Sequence, residues 1–273
     1  MRTFLALVVV AATWFAALDA SAYECKRSER EPYFPLAWPE RVVQVALQTT
    51  TGDVLDELKV SAKAWSDIAC SDVELEVLGV VGEGQLPELG VVMVDGVWAD
   101  GTRPVEALGL TTTSYSPSTG TIGGALVEIN RVGASFPPQD QCDPSQDNQY
   151  DLRSVLTHEL GHALGLAHTA VVFFDETDPT MVAQLGACET HMRSLETDDI
   201  EGICELYPAG RPRGTCQVGF DVEELGNRAF GCRSVGAENS AGWGILLVGL
   251  AFWRRRGRPD EVRSACPRAR GRG

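Results

Sequence analysis

The sequence predicts a mixed α/β (α+β) domain of five strands and three helices, and three observations support this. Five short segments rich in Val, Thr, Leu or Ile are separated by turns that contain Gly or Pro, which is typical of strands. Two other segments repeat apolar residues at intervals of three and four, and a third lies between helix start and stop signals. Hydrophobic residues make up 44% of the 273-residue chain, enough to bury the core of a globular domain.

The first six elements follow in the order strand, helix, four strands. The first strand is RVVQVALQTT (41–50). The helix after it presents an apolar face formed by Leu55, Leu58, Ala62, Trp65 and Ala69. The other strands are VELEVLGVV (73–81), GVVMV (90–94), ALGLTTTSY (107–115) and ALVEIN (125–130). The polar, Pro-containing segment 136–149 is predicted to be an exposed loop.

Two further helices are predicted after this loop. The first begins at Asp151, a favourable N-cap residue, and ends at Gly165. The second begins at Thr197, with acidic residues in its first turn, and ends before Pro208, which cannot continue a helix. We therefore expect one domain over residues 23–209.

The first 22 residues have the pattern of a signal peptide. Arg2 precedes an apolar run over residues 4–18, and Ala20-Ser21-Ala22 is a small-residue cleavage pattern. A buried core helix is the alternative interpretation, but a run this short that ends in A-x-A favours export. The mature chain is expected to begin near Tyr23.

A second apolar run, residues 241–253, is followed by three arginines, Arg254–Arg256. The run is short for a spanning helix, but the arginines suit the cytoplasmic side of an anchor because positive charge resists translocation. The segment also resembles the myxobacterial tags that sort exported proteins to the cell surface, with Cys232 at the place of the tag cysteine. The predicted parts are a linker (210–238), a hydrophobic anchor or sorting segment (239–256) and a basic cytoplasmic tail (257–273).

Charge and cysteine content agree with an exported domain. Residues 23–232 carry 13 Lys and Arg against 34 Asp and Glu, a net charge of −21. Binding to nucleic acid is not expected, because phosphate contacts require basic residues. Seven of the eight cysteines lie in this region, which predicts three disulfides with Cys232 as the unpaired residue. The sequence does not decide which of the other six cysteines pair.

The segment HELGHALGLAH (158–168) contains three of the four histidines. His158 and His162 lie one turn apart on the same face of a helix and can present nitrogens to one ion. Gly165 can adopt the left-handed conformation that ends a helix, which turns the chain back and brings His168 to that ion. Three imidazoles leave a position for water, as in catalytic zinc sites. Two histidines on a helix can be a surface feature, but the full spacing with its glycine is far more specific.

This segment resembles the H-E-x-x-H-x-x-G-x-x-H zinc signature of the metzincin metallopeptidases, particularly their matrixin branch. The similarity covers roughly residues 36–208 and includes Thr169, which is close to the serine that matrixins have after the third histidine. It implies a five-stranded twisted mixed sheet with two long helices, an active-site helix, a methionine turn and a C-terminal helix. Met181 in DPTMV, thirteen residues after His168, is identified as the methionine of that turn.

The resemblance also implies a reaction and a place for the substrate. Zinc held by the three histidines activates water, and Glu159 is the general base toward a peptide carbonyl. The peptide is expected to pair in antiparallel orientation with the strand 107–115. Its backbone hydrogen bonds are then made by Gly109, Leu110 and Thr111.

The resemblance raises the question of further metals. Secreted animal matrixins bind a second, structural zinc through additional histidines, whereas here only His191 remains, so one zinc ion is expected. Calcium sites are common in the family, and the loop residues Asp140, Asp143, Asp147 and Asp151 could supply oxygen ligands. Solvated loop carboxylates are the simpler interpretation.

These patterns together predict a bacterial, exported zinc endopeptidase that acts as a monomer on extracellular proteins. It is expected at the cell surface or outer envelope through its C-terminal segment, or in secreted form. Two alternatives stay open: a catalytically silent surface domain that keeps zinc for structure, and a zinc hydrolase of non-protein amides. Glu159 favours an enzyme, because a structural zinc site needs no carboxylate there.

Overall fold

The computed structural model describes residues 23–29, 31–48, 53–98, 106–169, 177–216 and 233–234. The predicted signal peptide, Cys232, the anchor and the basic tail lie outside these residues. Within the described ranges, no helix is both long enough and apolar enough to cross a bilayer.

A five-stranded sheet forms the centre of the domain and confirms the predicted fold class. Its strands are β1 (Val42–Gln48), β2 (Glu74–Val80), β3 (Leu89–Val94), β4 (Gly109–Tyr115) and β5 (Ile122–Asn130). They lie in the order β2-β1-β3-β5-β4. All neighbouring pairs are parallel except β4 and β5. The sheet is therefore mixed, and β4 forms one of its edges.

The first helix, α1 (Asp53–Ser66), packs on one face of the sheet. Its buried residues Val54, Leu58, Ala62 and Trp65 follow the spacing of a helix that covers a core. Nε1 of Trp65 donates a 2.8 Å hydrogen bond to the backbone oxygen of Thr157 in the next helix. The helix ends at Ser66, so Ala69, which was predicted on its apolar face, lies beyond it and is exposed.

The helices α2 (Leu152–Leu164) and α3 (Thr197–Leu206) confirm the predicted boundaries. Asp151 caps α2, since its carboxylate accepts the backbone N–H of Ser154 at 2.8 Å. Gly165 ends α2 in the left-handed region, with a φ of 107°. The loop 136–149 is largely exposed, as predicted, and contains a short 3₁₀ turn at Gln139–Gln141. A small parallel pair, β6 (Gln184–Leu185) and β7 (Arg233–Ser234), follows later in the chain.

Three disulfides cross-link the described domain, as the cysteine content predicted. They join Cys25 to Cys216, Cys70 to Cys204 and Cys142 to Cys188. The first ties the N-terminal segment to the chain after α3, and the second ties the end of the α1 region to α3. The third holds the exposed loop to the segment that follows Met181.

Candidate metal centre and active site

The helix α2 carries the polar residues of the site even though it is buried along most of its length. Every residue from Ser154 to Leu164 is buried. The helix contacts α1, the edge strand β4 and the turn around Met181. Buried histidines and carboxylates are costly unless they have partners, so these side chains need specific contacts.

Three imidazoles converge at the end of α2. Nε2 of His168 lies 3.2 Å from Nε2 of His158 and 3.2 Å from Nε2 of His162. Nitrogen ligands about 2.0–2.1 Å from a tetrahedral zinc are roughly 3.3–3.4 Å apart, so this donor set fits zinc. Among the described residues, these histidines form the one group of His, Cys, Asp and Glu side chains that could hold a metal ion.

Hydrogen bonds fix the first two imidazoles in the tautomer that binds metal. Nδ1 of His158 is 2.7 Å from the carbonyl oxygen of Thr180, and Nδ1 of His162 is 2.8 Å from that of Leu166. A carbonyl can only accept, so each Nδ1 carries the proton and each Nε2 presents its lone pair to the centre.

Burial keeps both of these imidazoles neutral. It lowers the pKa of His158 to about 3, and charge repulsion from His168 acts in the same direction. Burial also holds the pKa of His162 well below its ordinary 6.5, with a further contribution from the positive charge of Lys26. Neutral imidazole is the form that binds metal, so His158 and His162 can both bind a cation at neutral and mildly acidic pH.

Glu159 lies between α2 and the edge strand β4 and is fully buried. Its Oε2 accepts a 2.6 Å hydrogen bond from the hydroxyl of Thr111. Gly109, two residues earlier on β4, leaves room for the carboxylate, because a Cβ there would lie 2.6 Å from Oε1. Leu110, the third residue predicted to line the substrate strand, is half-buried on the opposite face of β4.

Met181 lies in a turn directly beneath α2. Its sulfur is so close to Gly161 that a Cβ on this glycine would collide with it and would lie 2.7 Å from Cζ2 of Trp65. The backbone oxygen of Met181 accepts the N–H of Thr169 at 2.9 Å. Together with the bond from His158 to Thr180, this turn supports the chain on both sides of the centre.

Asp199 of α3 holds the Met181 turn in place, a role that no local pattern in the sequence indicates. Its Oδ2 accepts the N–H of Thr180 at 2.7 Å, and its Oδ1 accepts the N–H of Met181 at 3.0 Å. Oδ2 also accepts the N–H of Glu196 in the capping box of α3. Burial raises the pKa of Asp199 to about 6, while these three backbone donors act in the opposite direction.

The raised pKa of Asp199 predicts a pH-dependent contribution to stability. Because its pKa in the folded state, about 6, exceeds the ordinary 3.8, the native protein binds more protons than the unfolded chain between these values. The protonated carboxyl group of Asp199 therefore stabilises the fold fully below about pH 4, and this contribution is lost as pH rises through about 6. Thermal unfolding from pH 4 to pH 7 should show the melting temperature of the wild type falling relative to that of Asp199→Asn. A wild-type melting temperature that rises relative to that of Asp199→Asn over this pH range would contradict the assignment.

Distant residues satisfy the last carbonyl groups of α2, which have no partner within the helix. Nε1 of Trp38 donates to the oxygen of Ala163 at 2.8 Å, and the hydroxyl of Tyr207 donates to that of Leu164 at 2.6 Å. The backbone N–H of Lys26 donates to the oxygen of Gly165 at 2.8 Å. The N-terminal segment and the end of α3 thus fix the point at which the chain turns toward His168.

Lys26 also brings a charge to the site that sequence patterns did not reveal. Burial lowers the pKa of this lysine to about 8, and the negative charge of Glu159 raises it in part. The N-terminal segment therefore contributes to the electrostatics of the centre as well as to its packing.

Calcium binding in the loop remains a prediction, and Asp151 does not fit it. The carboxylate of Asp151 caps α2 and is paired with Arg193, so both of its oxygens already have partners within the protein. Asp143 accepts the N–H and hydroxyl of Ser145 in a local turn. These bonds lower the pKa of Asp143.

Two imidazoles of the buried helix α2 and one from the turn after it thus converge on one point. Glu159 and the edge strand β4 lie beside them, an arrangement that suits a metal ion with a neighbouring carboxylate. Residues 94–208 match the matrixin family model, a range that includes all three histidines, Glu159 and Met181. This part of the chain is therefore similar to the matrixin family.

Two plant proteins are also similar to the chain. The chain is 24% identical to Metalloendoproteinase 1-MMP of Arabidopsis thaliana over 204 residues, which is 75% of this chain and 51% of that protein. It is 36% identical to Metalloendoproteinase 5-MMP of the same plant over 101 residues, 37% of this chain and 25% of that protein. This chain thus spans about half the length of the first relative and a quarter of the second.

Two solved structures of myroilysin are similar to the chain, each with 15% identity and a TM-score of 0.35. One similarity covers 64% of this chain and 97% of the myroilysin chain, and the other covers 63% and 86%.

Proposed function

We propose that this protein is a zinc-dependent endopeptidase that hydrolyses peptide bonds of extracellular proteins. The observation that carries the proposal is the convergence of three imidazoles next to Glu159, in which Nε2 of His168 lies 3.2 Å from Nε2 of both His158 and His162. The matrixin match over residues 94–208 supports it.

The chain's own residues have distinct parts in the proposed reaction. Zinc bound by the three imidazoles would supply the Lewis acidity that activates water and polarises the scissile carbonyl. The carboxylate of Glu159 takes the proton of the attacking water and delivers it to the nitrogen of the departing amine. His158 and His162 remain neutral ligands because burial opposes their protonation.

The substrate is proposed to lie along β4 in antiparallel orientation. β4 pairs with β5 on one side and is at the edge of the five-stranded sheet. An extended peptide can add to such an edge through backbone hydrogen bonds, here to Gly109, Leu110 and Thr111. Because two of these residues face Glu159, a peptide bound there lies next to the general base.

We also propose that the protein is exported, with residues 239–256 either anchoring it at the cell surface or removed after sorting. The three disulfides support export, since such bonds persist in oxidising compartments. N-terminal sequencing of the native protein tests the proposal. A chain that begins near Tyr23 is expected, and one that retains Met1 would contradict cleavage of a signal peptide.

Removal of metal should abolish cleavage of a mixed peptide library by the purified protein. The three imidazoles would hold the ion, so a chelator in excess is expected to stop cleavage, and about one equivalent of zinc should restore it. Mass spectrometry of the products measures cleavage, and elemental analysis measures zinc before and after chelation.

The same assay separates the alternatives. A zinc-containing protein that cleaves neither peptides nor small amides would be a silent binding domain, and one that hydrolyses only small amides would be a different zinc hydrolase. Peptide cleavage that continues after complete removal of zinc would contradict the proposed centre.

A further inference from the structure

Thr111 on β4 makes a direct contact with the carboxylate that the proposed reaction uses as its base. Its hydroxyl lies 2.6 Å from Oε2 of Glu159 and 3.1 Å from the backbone oxygen of the same residue. The hydroxyl has a single proton, and the contact with Oε2 is the shorter of the two. The proton of Thr111 is therefore directed to Oε2.

Gly109 confines the same carboxylate from the same strand. A Cβ at position 109 would lie 2.6 Å from Oε1 and 2.8 Å from Cγ of Glu159. Residues two apart on a strand face the same side, so Gly109 and Thr111 together form one surface against Glu159. We call this pair the β4 cradle.

The β4 cradle is held rigidly by the sheet behind it. Gly109 pairs with Ile129, and Thr111 pairs with Val127, in the antiparallel ladder between β4 and β5. Ile129 and Val127 are fully buried in the core. A shift of β4 along β5 would expose this core, so the position of the hydroxyl relative to α2 is fixed by core packing.

We propose that Thr111 is a positioning residue that holds Glu159 in the orientation needed for proton transfer. This inference rests on the proposed peptidase function, in which Glu159 is the general base. A glutamate side chain has several rotatable bonds, and a general base must lie within hydrogen-bond reach of the proton it takes. The hydroxyl of Thr111 restricts the carboxylate to one rotamer before the substrate binds.

The test compares Thr111→Val, Thr111→Ser and the matched control Thr113→Val. Thr113 lies two residues further along the same face of β4, and its buried hydroxyl has no hydrogen-bond partner among the described residues. In the full-length protein loaded with zinc, Thr111→Val is expected to lower kcat about 10- to 100-fold, with KM within about twofold, because an interaction needed for the chemical step is lost. Thr111→Ser should retain kcat within about threefold, and Thr113→Val should match the wild type.

A second measurement does not depend on activity. Thr111→Val should lower the urea midpoint of the wild type, and this shift should be at least halved in a Glu159→Ala background, where the acceptor is missing. Should Thr111→Val fail to fold, the comparison of Thr111→Ser with Thr111→Ala replaces it in both measurements.

The outcomes separate this inference from the proposed function. A wild-type protein loaded with zinc that cleaves no peptide would overturn both. An active wild type whose Thr111→Val variant has an unchanged kcat would overturn the positioning role alone. The same conclusion follows if KM rises while kcat is constant, or if the urea shift is equal in the two backgrounds.

Discussion

Glu159→Gln is expected to lower kcat for peptide hydrolysis by about 10²- to 10⁴-fold, the usual contribution of a general acid–base residue. Gln has the shape of Glu and can still accept the hydroxyl of Thr111, but it carries no negative charge to take a proton from water. The three histidines are untouched, so the variant should retain about one equivalent of zinc. Steady-state kinetics and elemental analysis on the same preparation measure both quantities.

The control for this variant is Glu74→Gln. Glu74 is exposed and begins β2, the strand at the opposite edge of the sheet from β4. Glu74→Gln removes the same charge from the chain without changing a residue of the centre, so the kcat and zinc content of this variant should equal those of the wild type. A Glu159→Gln protein that turns over peptides within about tenfold of the wild type would exclude Glu159 as the general base.

Gly165→Ala should have the largest effect on stability and should also weaken zinc binding. Gly165 has a φ of +107°, and an added Cβ would collide with the carbonyl oxygen of Leu36 and approach Cδ2 of Leu206 to 3.2 Å. Strain at such a φ costs about 1–3 kcal/mol, and overpacking a core costs about the same again, so a total loss of about 2–6 kcal/mol is expected. Urea unfolding measures the loss of stability.

The effect on zinc follows from the position of Gly165 between two ligands. Gly165 ends α2 and begins the turn that leads to His168. This turn includes Leu166, whose backbone oxygen accepts the hydrogen bond from Nδ1 of His162. A displaced turn moves two of the three imidazoles, so a competing chelator should remove zinc from the variant at a lower concentration.

Gly79→Ala is the matched control for this substitution. Gly79 has a φ of +112°, but an added Cβ there meets nothing within 4 Å. It should therefore cost about 1–3 kcal/mol from strain alone and leave zinc binding unchanged. Equal losses in the two variants, with equal zinc retention, would show that the contact with Leu36 does not hold the turn.

The sequence identified those parts of the centre that depend on local geometry. The spacing of His158 and His162 places two imidazoles on one face because the helix has a fixed repeat. Asp151 and Gly165 were predicted as its ends from their capping chemistry, and both occur there. The strand segments were found within a few residues, because runs of apolar and β-branched residues end at turns that contain Gly or Pro.

Contacts between distant parts of the chain could not be predicted in this way. Thr111 lies 48 residues from Glu159, and its side chain was not singled out because a threonine on a strand is ordinary. Asp199 looked like one of several acidic residues at the start of a helix, whereas its carboxylate holds the Met181 turn. The pairing of the six cysteines was likewise open until the fold placed them in contact.

The sequence by itself determined the elements, the ends of α2 and the set of imidazoles that could share an ion. Backbone periodicity and capping act over only a few residues, so they leave a trace in the local pattern. The tertiary structure alone decided which strand lies against Glu159, which residues cap the end of α2 and which carboxylate supports the turn beneath it. Those choices depend on packing between segments far apart in the chain, where many polar residues have the same local sequence context and only the shared core selects among them.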